Sequence, residues 1–208
     1  MRTVLRLVFL IVLVLVCLTA WVGVRGWLAK DHLQTSADLV QRLQSQLERG
    51  DVTPAQRTLR DLQDETAAAE RLTGDKVWRA YGHLPSVGDD LAAVHAVAVS
   101  GHTLSTDALP AIAAAAADVH RLRNNTRDAT PSQLLAAARR LKAPLLSAQA
   151  GVVLARAQVA SVDPASLFGP VRAGVLEFSQ GLDALNSELT SLIATDNGVL
   201  KAAAAAGV

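Results

Sequence analysis

The sequence predicts an all-α protein: an N-terminal transmembrane helix, then an extracytoplasmic antiparallel helical bundle with long, partly kinked helices. Three observations predict it. Leu7 to Val24, LVFLIVLVLVCLTAWVGV, is 18 residues without a charge. After it, Ala, Leu, Arg, Gln and Glu dominate and aromatic residues make up 3% of the chain. Those are strong helix formers, whereas a sandwich or barrel needs more β-branched and aromatic residues on alternating faces. Apolar residues also recur at three- and four-residue steps in segment after segment, the period of one helix face.

The first element is the anchor. At about 1.5 Å per residue its helix reaches about 27 Å, close to the hydrocarbon thickness of a bilayer. Arg2 and Arg6 precede it, Arg25 follows it, and Trp21 and Trp27 lie at its C-terminal end, where amphipathic rings favour the headgroup level. A cleaved signal peptide is the competing reading, with cleavage after Leu18-Thr19-Ala20. Leu18 is a poor residue for such a site, and the apolar run continues through Val22 and Val24. Cys17, the single cysteine, follows the bulky Val16, which does not suit lipoprotein processing, so it reads as an apolar thiol inside the span. The short leading tail and the order of charge then apolar run favour the N-terminus inside. Residues 1–28 are therefore read as a single-pass membrane anchor and 29–208 as a helical domain outside the cytoplasm.

In that domain, Leu33, Ala37, Val40, Leu43 and Leu47 predict one helix, stopped by Gly50. Thr53-Pro54-Ala55-Gln56 reads as a capping box, with Thr53 the N-cap and Pro54 at the first helical position. The stripe that follows is Ala55, Leu59, Leu62, Thr66 and Ala69, closed by Thr73-Gly74-Asp75. Lys76 to Gly82 allows a short helix carrying Trp78 and Tyr81, and Leu84 to Gly88 reads as a turn. A long helix is predicted from about Asp90 to Arg123, its stripe running through Val94, Val97, Gly101, Leu104, Ala108, Ala115, Val119 and Leu122. Pro110 should kink or divide it, because it removes a backbone donor. Thr130-Pro131-Ser132-Gln133 repeats the capping signature, and Pro144 is a second kink candidate. The last helix has the cleanest seam: Val171, Val175, Phe178, Leu182, Leu185, Leu189 and Leu192 at alternating four- and three-residue steps. Short connections between long helices favour antiparallel neighbours.

Val77-Trp78-Arg79, Leu84-Pro85-Ser86-Val87-Gly88-Asp89-Asp90-Leu91 and Ala108-Leu109-Pro110 resemble the N-terminal half of an actinobacterial membrane-anchored family, the domain of unknown function 4012. Leu167-Phe168-Gly169-Pro170-Val171 and the Ala-rich tail Ala202 to Val208 are similar to it as well. The resemblance covers essentially the whole chain through short, mostly structural motifs. It implies a cell-envelope location and no assigned activity. Members usually continue into a larger second half, so the resemblance implies either a naturally short member or a truncated product.

The chemistry-bearing residues are scattered. His95 and His102 are seven apart, about 10.5 Å along a helix, too far to hold one ion as an i,i+4 pair would. His32, His83 and His120 lie in other segments, so the histidines read as surface or cap residues and no metal or cofactor is expected. Asp61, Asp64, Glu65 and Glu70 are interleaved with Arg57, Arg60 and Arg71, the mixed pattern of a solvated face. Asp89 and Asp90 suit a helix start, by capping or by complementing its dipole. Arg139-Arg140 reads as solvated. No G-x-S-x-G elbow and no Gly-rich phosphate loop is present. The balance of 20 basic and 19 acidic residues, dispersed along the chain, leaves no electrostatic footprint for nucleic acid. Trp78 and Tyr81 form a candidate partner or carbohydrate-stacking patch; alternatively they plug the bundle where helices turn.

These readings point to a non-enzymatic, membrane-anchored cell-envelope protein whose bundle acts as spacer, scaffold or partner-binding module, with an envelope protein as the candidate partner. An extracytoplasmic sensor-like bundle binding a small ligand is the alternative, weakened because no second apolar run of 18 residues follows the first. An enzyme ranks third, for want of a catalytic constellation.

Overall fold

In the computed structural model residues 35–76, 78, 87–125 and 131–205 are described, and every regular element among them is helical. The anchor segment Leu7–Val24 and Tyr81 lie outside the described residues, and among those described no helix is long and apolar enough to cross a membrane.

Helix α1 covers 35–49 and ends at Gly50, whose φ of 76° places it in the left-handed region that favours glycine. A side chain here would also run into the imidazole of His120. Asp51 N–H donates to the Gln46 carbonyl at 2.9 Å, and the chain reverses at once into α2, Val52–Thr73. This start lies ahead of the predicted cap. Asp51, not Thr53, precedes the helix, and its carboxylate accepts from Arg49 Nε at 3.0 Å instead of capping. The α1 stripe is also rotated from the predicted one. Ser36, Leu39 and Leu43 are buried, while Ala37 and Val40 face solvent. On α2 the predicted stripe is the buried one, widened by Thr58 and Thr73.

The long helix appears as α3, Gly88–Thr103, and α4, Leu109–Asn125, joined without a break by a π-helical turn, Leu104–Ala108. Leu109 N–H donates to the Leu104 carbonyl, five residues back. The turn suits Pro110, which has no N–H for the preceding turn and whose ring would press on the Thr106 carbonyl in a regular α-helix. Widening the turn ahead of the proline accommodates both. The extra residue changes which side chains face inward, so the burial does not follow one stripe. Ala93, Ala98, Ser100, Ser105, Ala108 and Ala115 are buried, whereas Val119 is exposed.

Helix α5, Pro131–Ala160, continues through Pro144 without interruption, and a short 3₁₀ turn, Pro164–Ser166, leads into α6, Gly169–Ala205. α5 is the hub, packing against α3, the π turn, α4 and α6. One cluster joins Ala93, Ala155, Val159, Leu167, Val175 and Leu182; a second joins Ala108, Ala115, Leu145, Ala148, Val152 and Leu189. The α6 seam is therefore buried at Val175, Leu182 and Leu189, half-buried at Phe178 and Leu185, and ends there. Leu192 is exposed and Ile193 takes the inner side, the drift expected of a 3.6-residue helix against a 3.5-residue pattern.

Candidate functional site

Two small polar contacts, repeated one seven-residue step apart, join α2 to α3. Thr73 and Thr66 lie on α2; His95 and His102 lie opposite them on the antiparallel α3. Thr73 Oγ1 is 3.1 Å from His95 Nδ1, and Thr66 Oγ1 is 3.5 Å from His102 Nδ1. Thr73 Oγ1 also donates to the Ala69 carbonyl at 2.9 Å. A hydroxyl carries one proton, so assigning it to that carbonyl makes His95 Nδ1 the donor to Thr73. Thr66 is tied further to Ser105 Oγ at 2.8 Å, and Ser105 Oγ donates to the His102 carbonyl at 2.9 Å. Buried hydroxyls need such partners, and the π turn supplies them.

Beside these pairs lies an open groove of about 680 Å³ lined by Ala67, Glu70, Arg71, Gly74, Asp75, His95 and His102. Glu70 Oε2 stands 3.8 Å from His102 Nε2. The lining mixes both charges, which suits a polar or zwitterionic small molecule better than an ion of one sign. Among the described residues no group of three or more His, Cys, Asp or Glu side chains is placed to hold a metal ion. His95 and His102, read from sequence as surface or cap residues, are half-buried ties between helices; His32 and His83 lie outside the described residues. The signal that could have found them is the matching seven-residue spacing of Thr66/Thr73 and His95/His102.

Trp78, the described member of the predicted aromatic patch, is 3% exposed. Its Nε1 donates to the Leu91 carbonyl at 3.0 Å, and its backbone N–H donates to Asp75 Oδ1 at 2.7 Å. The ring closes the end of the bundle between α2 and α3, and its polar handle is satisfied there. Asp90, in the first turn of α3, accepts the Phe168 N–H at 2.8 Å instead of capping its own helix.

That bond holds the α5–α6 turn, whose Leu167–Val171 motif entered the sequence reading only through the family resemblance and not as a candidate site. Arg172 Nε donates to the Pro164 carbonyl at 2.8 Å, and its Nη2 donates to Ala165 at 3.1 Å and Leu167 at 2.8 Å. Asp163 Oδ1 accepts from Ala165 N–H at 2.9 Å. Leu167 is buried, while Phe168 beside it is 68% exposed. A second exposed apolar row lies on α5: Ala143, Leu146, Ala150, Val153 and Ala157, with Leu154 at its side. No protein-family model, no curated protein and no solved structure matches this chain.

Proposed function

We propose that the chain is a non-enzymatic cell-envelope protein, held at the membrane by Leu7–Val24, whose bundle outside the cytoplasm serves as scaffold and partner-binding module. The observation that carries this reading is the uncharged run of 18 residues with arginines on both flanks. The resemblance of the Trp78, Leu84–Leu91 and Leu167–Val171 motifs to the domain of unknown function 4012 supports the same location. The partner-binding role draws on α5. Its outward row of Ala143, Leu146, Ala150, Val153 and Ala157 follows a three-four spacing and is not covered by any of the described residues, although the opposite face is core.

A reporter active only outside the cytoplasm, fused after Val208, is expected to be active, and the product should resist alkaline carbonate extraction at full mass. A silent reporter, with a cytoplasmic reporter active in its place, rejects the envelope location. Release of a shortened product starting near Trp21 supports the signal-peptide alternative.

The groove favours a second reading, a ligand-binding sensor-like bundle. A small polar ligand that raises the unfolding temperature of the protein, and ceases to do so in Arg71→Ala, would support it.

A further inference from the structure

The described chain begins, and several of its connections gather, at one end of the bundle. The Gly50–Asp51 reversal sets α1 antiparallel to α2, so Thr35 lies toward the end of α2 that carries Thr73. The ties of Thr73 to His95, of Trp78 to Leu91 and of Phe168 to Asp90 put the start of α3 and the α5–α6 turn at that same end. α2 outlasts α1 by seven residues, about 10 Å. This end of α2 therefore projects past Thr35. Ten residues separate Val24 from Thr35, a connection that spans at most about 35 Å.

Two large apolar side chains are exposed at this end, Phe168 at 68% and Val87, just ahead of α3, at 47%. Phe168 is not a loose loop tip. The three carbonyl bonds of Arg172, the Asp163 cap and the Asp90 bond hold its backbone, while Leu167 occupies the core position next to it. A rigid turn presenting an apolar ring has little ordering entropy left to lose on contact.

We propose that this end of the bundle rests on the lipid surface, with Phe168 and Val87 inserted at the headgroup–acyl boundary, as apolar residues of membrane-surface segments are. The inference rests on the anchored reading above, because the anchor and its ten-residue connection bring this end within reach of lipid. Asp89 and Asp163 are exposed at this end along with Lys76 and Arg172, so the charges balance and the contact is apolar insertion and not attraction to anionic headgroups.

The test uses the full chain reconstituted in phosphatidylcholine vesicles and nitroxide labels read by their accessibility to oxygen and to a water-soluble nickel chelate. One sample is labelled at the native Cys17. In a Cys17→Ser background the others carry Phe168→Cys, Val87→Cys or, at the far end of α1, Glu48→Cys. The expected result is hydrocarbon depth at 17, interfacial depth at 168 and 87, and an aqueous signal at 48. Adding Phe168→Glu to the Val87 sample should shift its label to the aqueous level of residue 48. A label at 168 as aqueous as that at 48, with Cys17 in hydrocarbon, overturns the docking alone. Shielding of 168 from both oxygen and nickel means that protein covers it and also overturns the lipid contact. An aqueous label at Cys17 overturns the anchored reading and this inference with it.

Discussion

At Gly151 a methyl group would meet the backbone nitrogen of Ala108 at 3.0 Å, its Cβ at 3.1 Å and the Asp107 carbonyl carbon at 3.2 Å. Two of those three atoms are backbone and cannot step aside. Gly151→Ala is therefore expected to destabilise by about 1–3 kcal/mol, read as a lowered midpoint in chemical unfolding. Gly174, inside α6 with nothing within 4 Å of its would-be Cβ, gives the opposite expectation. Gly174→Ala should raise the unfolding free energy by about 0.5–1 kcal/mol, read as a higher midpoint, because alanine restricts the unfolded chain and favours the helix. The same logic separates two leucines of one predicted seam. Leu182 is 3% exposed and Leu192 52%. Leu182→Ala should cost about 2–5 kcal/mol and Leu192→Ala less than about 0.5 kcal/mol by the same measurement. Equal losses at both positions would mean that Leu192 has a covering surface not found among the described residues.

Helices as elements were legible in the sequence; their faces were legible only where one side alone is buried. α2 has one buried side, and Ala55, Leu59, Leu62, Thr66 and Ala69 are buried as their spacing implies. The α3–π–α4 rod touches α2, α5 and α6 from different directions. It buries small residues around much of its circumference, and Ser100 and Ser105 do so because hydroxyl partners wait for them, Ser100 Oγ donating to the Ala155 carbonyl at 3.0 Å. No single periodicity can announce such a rod. Pro110 was a visible signal, but the response to it, a π turn without a break, depends on Thr66 and Gln63 meeting Ser105 across the interface. The two prolines should consequently differ. Pro110→Ala is expected to change stability little, since the widened turn is held from outside. Pro144, deep within α5, costs an interior helix bond, and Pro144→Ala should raise the unfolding free energy by up to about 3 kcal/mol, read as a higher midpoint. A larger gain at Pro110 than at Pro144 would contradict this account of the π turn.

For the whole molecule, the antiparallel order of long helices followed from short connections between strongly helical segments. The site was less legible, because its parts are brought together by crossing geometry and not by sequence proximity. Asp90 meets Phe168 across 78 positions, and Gln158 meets Thr103 across 55. Trp78 was visible as an unusual residue, yet its burial depends on the carbonyl of Leu91, thirteen positions away. The groove between Glu70 and His102 required two helices in register, for which only the matched seven-residue spacings gave a hint.

The length of α6 has a consequence of its own. Its 37 residues run from the Phe168 turn to Ala205, about 55 Å at the α-helical rise, whereas α5 beside it spans 30 residues, about 45 Å. If the Phe168 end stands on the bilayer and α6 stands upright, the helix is a ruler. In that arrangement it would carry Ala205 about 55 Å from the Phe168 end, so whatever meets that end of α6 would work at that stand-off and not at the membrane itself.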